Sequence, residues 1–283
     1  MDASNDLILS AMKGPYEWSA LTTFVNSVRH SGFRGKKVML VSGVTQTVKE
    51  NLILSGWDIV NYTIPPGTKP FGSYCSERFW PANDFLKEHA QEYRFIIWAD
   101  WKDLVVQTDP SVWLYENMSV DSVIGCSEGM LIKEEFYNNG WLKQAAPNDA
   151  VYNTAREHPI LCAGTLAGSA LVMRRVLCAV YDVLSTSPDK PDYNGGVTPL
   201  IDQGILNYIL RISPFDALIR VPEWSEGFCA TVNWYIVHRW TNRPVPEVRD
   251  GVFYPQGKSE PFAIVHQYDR DHTWKAVVEK RYQ

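Results

Sequence analysis

"RFIIWADWKDLVVQTDP", Arg94 to Pro110, runs apolar through Trp98, meets two acids at Asp100 and Asp103, and turns apolar again. A short apolar run bounded by charged residues reads as a buried strand, so the two carboxylates stand where that strand ends. The segments before it set the context. "DLILSAM" reads as a strand, "EWSALTTFVNSVRHSG" as a helix closing on Gly32, "KKVMLVSG" as a second strand, "TQTVKENLILSG" as a helix closing on Gly56, and "WDIVNYTI" as a third strand. Strands that alternate with helices imply a mainly parallel sheet with helices on both faces. Ligands in such sheets sit beyond the carboxyl ends of the strands, which is where Asp100 and Asp103 fall.

Past the loop "PPGTKPFGS", the stretch "YCSERFWPANDFLKEHAQEY" is a helix interrupted or started by Pro81. After the acid strand the pattern becomes mixed. "SVIGCSEG" is a strand, "ILCAGTLAGSALVM" a glycine-containing apolar run, "VLCAVYDVLSTS" a helix, "PDKPDYNGGVTP" a loop, and "LIDQGILNYILRI" a helix with Asp202 in its first turn. "WYIVHRW" and "PFAIVHQYDR" read as short strand-like pieces. With no repeat or clear linker, residues 1–283 read as one α/β domain with an elaborated C-terminal half.

Composition narrows the function classes. The 283 residues are 45% hydrophobic and carry a net charge of -5, so no basic field exists to hold a nucleic acid. The five cysteines are widely spread and lack metal-type or C-x-x-C spacing, which reads as buried free thiols. No window approaches a membrane span and the opening residues do not form a signal peptide, so a cytoplasmic protein without a transmembrane segment is expected.

Two carboxylates at the mouth of a sheet repel each other and lose hydration, so they call for a cation. A divalent metal supplies it, although an acid capping the next turn is the plainer alternative. The set resembles the GT-A (Rossmann-like) nucleotide-sugar glycosyltransferases and is most similar to their family 8-type members. "ADWKD" is similar to their D-x-D or D-x-x-D metal motif, "CAGTLAGSALVM" to their N-x-G strand, "IDQGILN" to their D-Q-D-x-L-N segment, and "AIVHQYDR" to their closing histidine segment. The spacing of Asp100 and Asp103 is one residue longer than usual, and Gly204 replaces the second acid of D-Q-D.

The resemblance implies a metal-dependent enzyme that moves a sugar from a nucleotide-sugar donor, by family habit a UDP-sugar, to a carbohydrate or glycoconjugate acceptor. Residues 1–110 would form the nucleotide-binding half and 111–283 the acceptor-binding half. Asp100, Asp103 and His266 would hold Mn2+ or Mg2+, with Asp100 alternatively contacting the donor ribose or sugar. Arg78 would contact the diphosphate or sugar, against a plain salt bridge to Glu77 or Asp84. Ala11, Met12 and Lys13, at the end of the first strand, would lie near the base and ribose. Asp202 would bond sugar hydroxyls, with the alternative of an ordinary helix cap, and Gln203 would lie below the reacting carbon. Gly164 would let a ligand approach the backbone closely. Glu128 is the candidate for the acceptor hydroxyl. The D-Q segment favours retention over inversion.

Eleven tryptophans and 14 tyrosines make an aromatic acceptor groove plausible on physical grounds, with Trp98, Trp101, Trp141, Trp224, Trp234 and Tyr268 as candidates and Trp101 foremost. Two other readings compete. A haloacid dehalogenase-type phosphohydrolase needs an acid two residues after its nucleophile, where this chain has Lys102. A catalytically inactive nucleotide-sugar-binding module would tolerate the irregular acid spacing and Gly204.

Overall fold

The computed structural model describes residues 3–66, 74–118, 121–187, 190–191, 197–198, 201–238 and 243–283. Most of the loops expected at 65–73 and 188–199 lies outside them. β1 (Leu7–Lys13) sends Leu7, Leu9 and Ala11 into one apolar layer and Ile8 and Met12 into the other, as a strand's two-residue period requires. α1 (Ser19–His30) buries Leu21, Phe24, Val25 and Val28, which recur at helical spacing on one stripe. Each such side chain is worth about 2 kcal/mol of transfer free energy. Gly32 follows with φ at +79°, the left-handed conformation that ends helices readily in glycine.

β2 (Lys36–Ser42), α2 (Gln46–Leu54) and β3 (Asp58–Asn61) complete the alternation, and Thr45 caps α2 by accepting from the Val48 amide. The helical stretch before the acid strand divides at Arg78 into α3 (Tyr74–Glu77) and α4 (Phe79–His89). Pro81 sits in the first turn of α4, where its missing N–H leaves no bond unmade. Then come β4 (Phe95–Ala99), β5 (Leu104–Val106), α5 (Pro110–Asn117), β6 (Val123–Leu131), α6 (Phe136–Ala145), α7 (Asp149–Ala155), β7 (Pro159–Ser169) and α8 (Ala170–Thr186). The remainder comprises β8 (Lys190–Pro191), β9 (Val197–Thr198), α9 (Asp202–Ile209), β10 (Ile219–Arg220), β11 (Cys229–Thr231), α10 (Trp234–Val237), β12 (Glu247–Arg249), β13 (Val252–Tyr254), β14 (Ile264–His266) and α11 (His272–Tyr282).

The main sheet has seven strands in the order β10-β6-β7-β4-β1-β2-β3, parallel except for β7, which runs antiparallel to both neighbours. Chain order reverses between β1 and β4, which makes the gap above their carboxyl ends the switch point where open α/β sheets bind ligands. A second sheet, β11-β14-β5, pairs β14 antiparallel to β5 so that His266 lies opposite Leu104. That pairing carries a C-terminal histidine to the end of β4. It also makes the chain turn between Asp100 and Asp103, the condition for two acids three residues apart to converge.

Two local expectations are corrected. The apolar run at 160–173 is one strand followed by a helix from Ala170, and "WYIVHRW" starts with a helical turn, Trp234–Val237, instead of a strand. Asn233 caps that turn through its side chain, which accepts from the Ile236 amide, an arrangement that favours helix over extension. All five cysteines are free thiols; Cys126, Cys162 and Cys229 are buried, whereas Cys75 is exposed. Among the described residues, no helix is long and apolar enough to cross a membrane.

Candidate functional site

A cavity of about 490 Å³ opens at the switch point, within the range of small-molecule sites. Its lining includes Ala11, Arg78, Asp100, Trp101, Asp103, Gly164, Asp202, Gln203 and His266, so one chamber unites most of the sequence candidates. A smaller cavity of about 260 Å³ beside β3 and α4 gathers none of them.

The acid pair is built by backbone geometry. The Asp100 amide donates to the Gly164 carbonyl at 2.8 Å, extending the β4–β7 ladder by one residue and fixing Asp100 opposite Gly164. The Gln267 amide donates to the Asp103 carbonyl at 2.7 Å, which anchors the second acid to the segment after β14. His266 Nε2 lies 3.1 Å from Asp103 Oδ1 and 3.7 Å from Asp100 Oδ2. Ligand atoms of these three residues all fall within 4.8 Å of one another. Neighbouring ligands on an octahedral ion with bonds of about 2.1 Å stand roughly 3 Å apart, so the set fits a hard dication with little closure. Carboxylates plus one imidazole suit manganese in particular.

Two arginines meet these acids. Arg78, buried at the α3–α4 break, pairs through one terminal nitrogen with Asp100, and through the other donates to Asp202 at 3.1 Å and to the Ala163 carbonyl at 3.2 Å. Glu77, the alternative partner, instead pairs with Lys13 at 2.5 Å. Arg270 donates to Asp103 Oδ2 at 3.1 Å, so Asp103 is gripped from both sides. Burial raises the Asp103 carboxyl, but the charge and hydrogen bond of His266, then the Arg270 guanidinium, outweigh it and bring the group down to about 2. Burial likewise favours neutral His266, while Cys162 at 3.3 Å and Asp103 pull it well above its ordinary value. Because burial itself keeps the Cys162 thiol protonated, Asp103 is the anion that decides. Arg270 also pairs with Asp269.

α9 forms the floor. Ile201, not Asp202, is its N-cap residue; Asp202 opens the first turn, accepting from the Gln203 amide with one oxygen while the other faces Arg78. Gln203 has its side-chain amide fully engaged. Its Oε1 accepts from the Ala163 amide at 3.1 Å, and its Nε2 donates to Glu128 at 3.0 Å and to Asn138 at 2.8 Å. Asn207 makes a two-way bond with the Leu161 backbone at 2.8 Å each way, which bolts α9 to β7.

Three expectations need correction or limits. Glu128 does not face the cavity: it is buried behind Gln203, bonded also to Asn233, and burial raises its carboxyl despite those two hydrogen bonds. It meets the cavity only through Gln203, which lines it. Met12 faces the apolar layer on the α1 side, so only Ala11 of the three β1 positions lines the cavity. Of the aromatic candidates, Trp101 and Trp141 line it, Trp101 braced edge-on by Tyr16 at 4.8 Å. Trp98, Trp224 and Tyr268 are core, and the Trp234 side chain lies outside the described residues.

The sequence reading assigned no role to Arg270 or Asn138. Arg270 lies four residues after His266, and its signal was a cation close behind a proposed ligand. Asn138 gave none.

No protein-family model and no curated protein matches the sequence. Solved structures do match in shape. An active-site mutant of LgtC superposes with a TM-score of 0.55 at 14% identity, covering 97% of this chain and 95% of that one. The galactosyltransferase LgtC in complex with donor and acceptor sugar analogues gives 0.54 at 15% identity, with the same 97% and 95% coverage. The bifunctional glycosyltransferase WbbM gives 0.55 at 14% identity over 93% of this chain and 45% of that one, so this chain spans under half of WbbM. The fold is that of these GT-A glycosyltransferases: a mixed α/β architecture around a mostly parallel seven-stranded sheet.

Proposed function

We infer that this chain is a metal-dependent glycosyltransferase that moves a sugar from a nucleotide-sugar donor, a UDP-sugar, to a carbohydrate or glycoconjugate acceptor. The observation that carries this reading is the convergence of Asp100, Asp103 and His266 at the switch point, next to the Arg78–Asp202 pair. Asp100, Asp103 and His266 would hold Mn2+ or Mg2+, which when bound supplies charge neutralisation and Lewis acidity at the diphosphate leaving group.

The other groups belong to the chain. Arg78 and Arg270 offer planar guanidinium forks of the kind that match phosphate oxygens in pairs. Arg78 also fixes the Asp202 carboxylate in the cavity lining, from where it would bond sugar hydroxyls. Glu128 and Asn138 hold the Gln203 side chain in one orientation below the place where the anomeric carbon would sit. Ala11 and Trp101 offer a small gap and an aromatic wall for the base and ribose. Retention is favoured over inversion, because the cavity-lining carboxylates among the described residues, Asp100, Asp103 and Asp202, are each engaged by a guanidinium or imidazole. Inversion would ask one of them to serve as a free base.

Incubation with a panel of nucleotide sugars and Mn2+, followed by measurement of released nucleotide, tests the reading. Consumption of a UDP-sugar is expected. Binding of UDP with manganese but no consumption of any donor would assign an inactive binding module, and hydrolysis of simple phosphate esters instead would assign a phosphohydrolase.

A further inference from the structure

α6 crosses α9 at Gly204 so closely that a Cβ there would stand 2.6 Å from the Trp141 carbonyl oxygen and 3.1 Å from Trp141 Cβ. Any larger residue would push α6 outward. The close crossing seats Trp141 in the cavity wall. Another residue of α6, Asn138, binds Gln203, so the helix is tied directly to the floor of the site.

From Trp141 the aromatic surface continues outward. Tyr137, one helical turn earlier, has its ring 6.2 Å from that of Trp141, and Phe136 stands edge-on to Tyr137 at 5.4 Å. Tyr137 is 62% exposed and Phe136 59%, although both are large and apolar in body. Large exposed aromatics that continue from a residue of the cavity wall mark an interaction surface. The segment Phe136–Leu142, "FYNNGWL", carries no charge, and its two asparagine side chains bond inward, Asn138 to Gln203 and Glu135 and Asn139 to the Tyr152 hydroxyl, which leaves the rings as its outer surface. Uncharged rings continuous with the wall of a polar cavity suit an uncharged ligand with flat apolar faces, which describes a pyranose better than a lipid chain.

We propose that Trp141, Tyr137 and Phe136 form the acceptor subsite, and that its occupant is a neutral oligosaccharide whose successive rings stack from the cavity wall to the outer surface. The inference rests on the glycosyltransferase reading. It adds an extended acceptor, longer than a monosaccharide, and a role for Gly204: it sets the approach of the aromatic helix.

The test applies the full chain, loaded with UDP and Mn2+, to an array of neutral di- to hexasaccharides, with donor-sugar hydrolysis by the unaltered protein measured in parallel. The unaltered protein is expected to retain at least one glycan series, with longer members held better. Tyr137→Ala and Phe136→Ala are surface changes, and melting temperature with UDP affinity verifies their fold. Each is expected to weaken retention about tenfold, the loss of one ring contact. Equal retention by the variants overturns the ladder. So does an array without any retained glycan while the unaltered protein still hydrolyses a donor, an outcome that leaves the transferase reading standing. Absence of donor hydrolysis removes the reading beneath it instead. Binding of phosphatidylcholine vesicles, or dimerisation, that these variants abolish without any effect on glycans would give the patch to a lipid surface or a second copy and overturn the proposal.

Discussion

Gly164→Ala is the most informative single change, because it adds one methyl group and removes no ligand. A Cβ at this position would stand 2.8 Å from Asp100 Cγ and overlap the Asp100 carboxylate and the edge of the His266 ring. Carbon atoms in ordinary contact lie about 3.5–4.0 Å apart, so the neighbours must move by about 1 Å. His266 is 2% exposed and wedged between Cys162, Thr165 and Asp103, which leaves the ring no free space to move into. Asp100 must give way, or β7 must bow. Overpacking of this kind costs about 1–3 kcal/mol in stability, so the variant is expected to fold with a lowered melting temperature. A misplacement of about 1 Å at a reacting centre costs on the order of 100-fold, and donor hydrolysis and Mn2+ affinity are both expected to fall by about that factor. Isothermal titration with Mn2+ and a nucleotide-release assay read the two quantities. A folded Gly164→Ala protein with unaltered Mn2+ affinity would refute the reasoning, since the three ligands would then not depend on the space above residue 164.

Other changes probe the supports of the site. Arg94 forms a two-bond pair with the fully buried Asp6, at 2.9 and 2.7 Å, so Arg94→Met strands a buried carboxylate and is expected to cost about 3–5 kcal/mol in urea unfolding, with Mn2+ affinity kept. Unchanged stability would show that water reaches Asp6. Glu128→Gln leaves the shape but replaces an acceptor-only carboxylate, so the Gln203 amide can turn over; kcat for donor hydrolysis is expected to fall about tenfold with little change in KM, and an unchanged kcat would deny Glu128 its positioning role. Tyr208, on α9, has its hydroxyl pushed up by burial to about 12 from an ordinary 10.0. The unfolded chain therefore ionises first as pH rises, and stability present below pH 10 is lost between pH 10 and about 12. Tyr208→Phe should flatten that part of the alkaline unfolding curve, and an identical curve would contradict the burial of the hydroxyl.

The order of strands and helices in the first half was legible because each element declares its own period: Leu21, Phe24, Val25 and Val28 for a helix, and the unbroken run Phe95–Ala99 for a buried strand. The acids at the end of β4 and the histidine at the end of β14 were legible for the same reason, since strand ends are read from where apolar runs stop. What joins them was not. β5 is three residues long, and only its pairing with β14 makes it a strand, so no local pattern could announce that His266 would stand across from Leu104. The burial of Glu128 behind Gln203 was not legible because sequence gives a strand but not which face its carboxylate takes at an irregular register; the β6–β7 pairing shifts on both sides of Ser127. Trp234–Val237 has a strand-like composition, and the cap from Asn233 decided against extension.

The central claim is that Asp100, Asp103 and His266 hold a dication that also contacts the diphosphate. Pulsed electron paramagnetic resonance of the Mn2+-loaded protein tests it directly. The account predicts nitrogen modulation from one imidazole, lost in His266→Gln, and a phosphorus hyperfine coupling that appears when UDP is added and disappears in Asp103→Asn. A manganese signal without nitrogen coupling, unchanged by UDP and by either substitution, would contradict it.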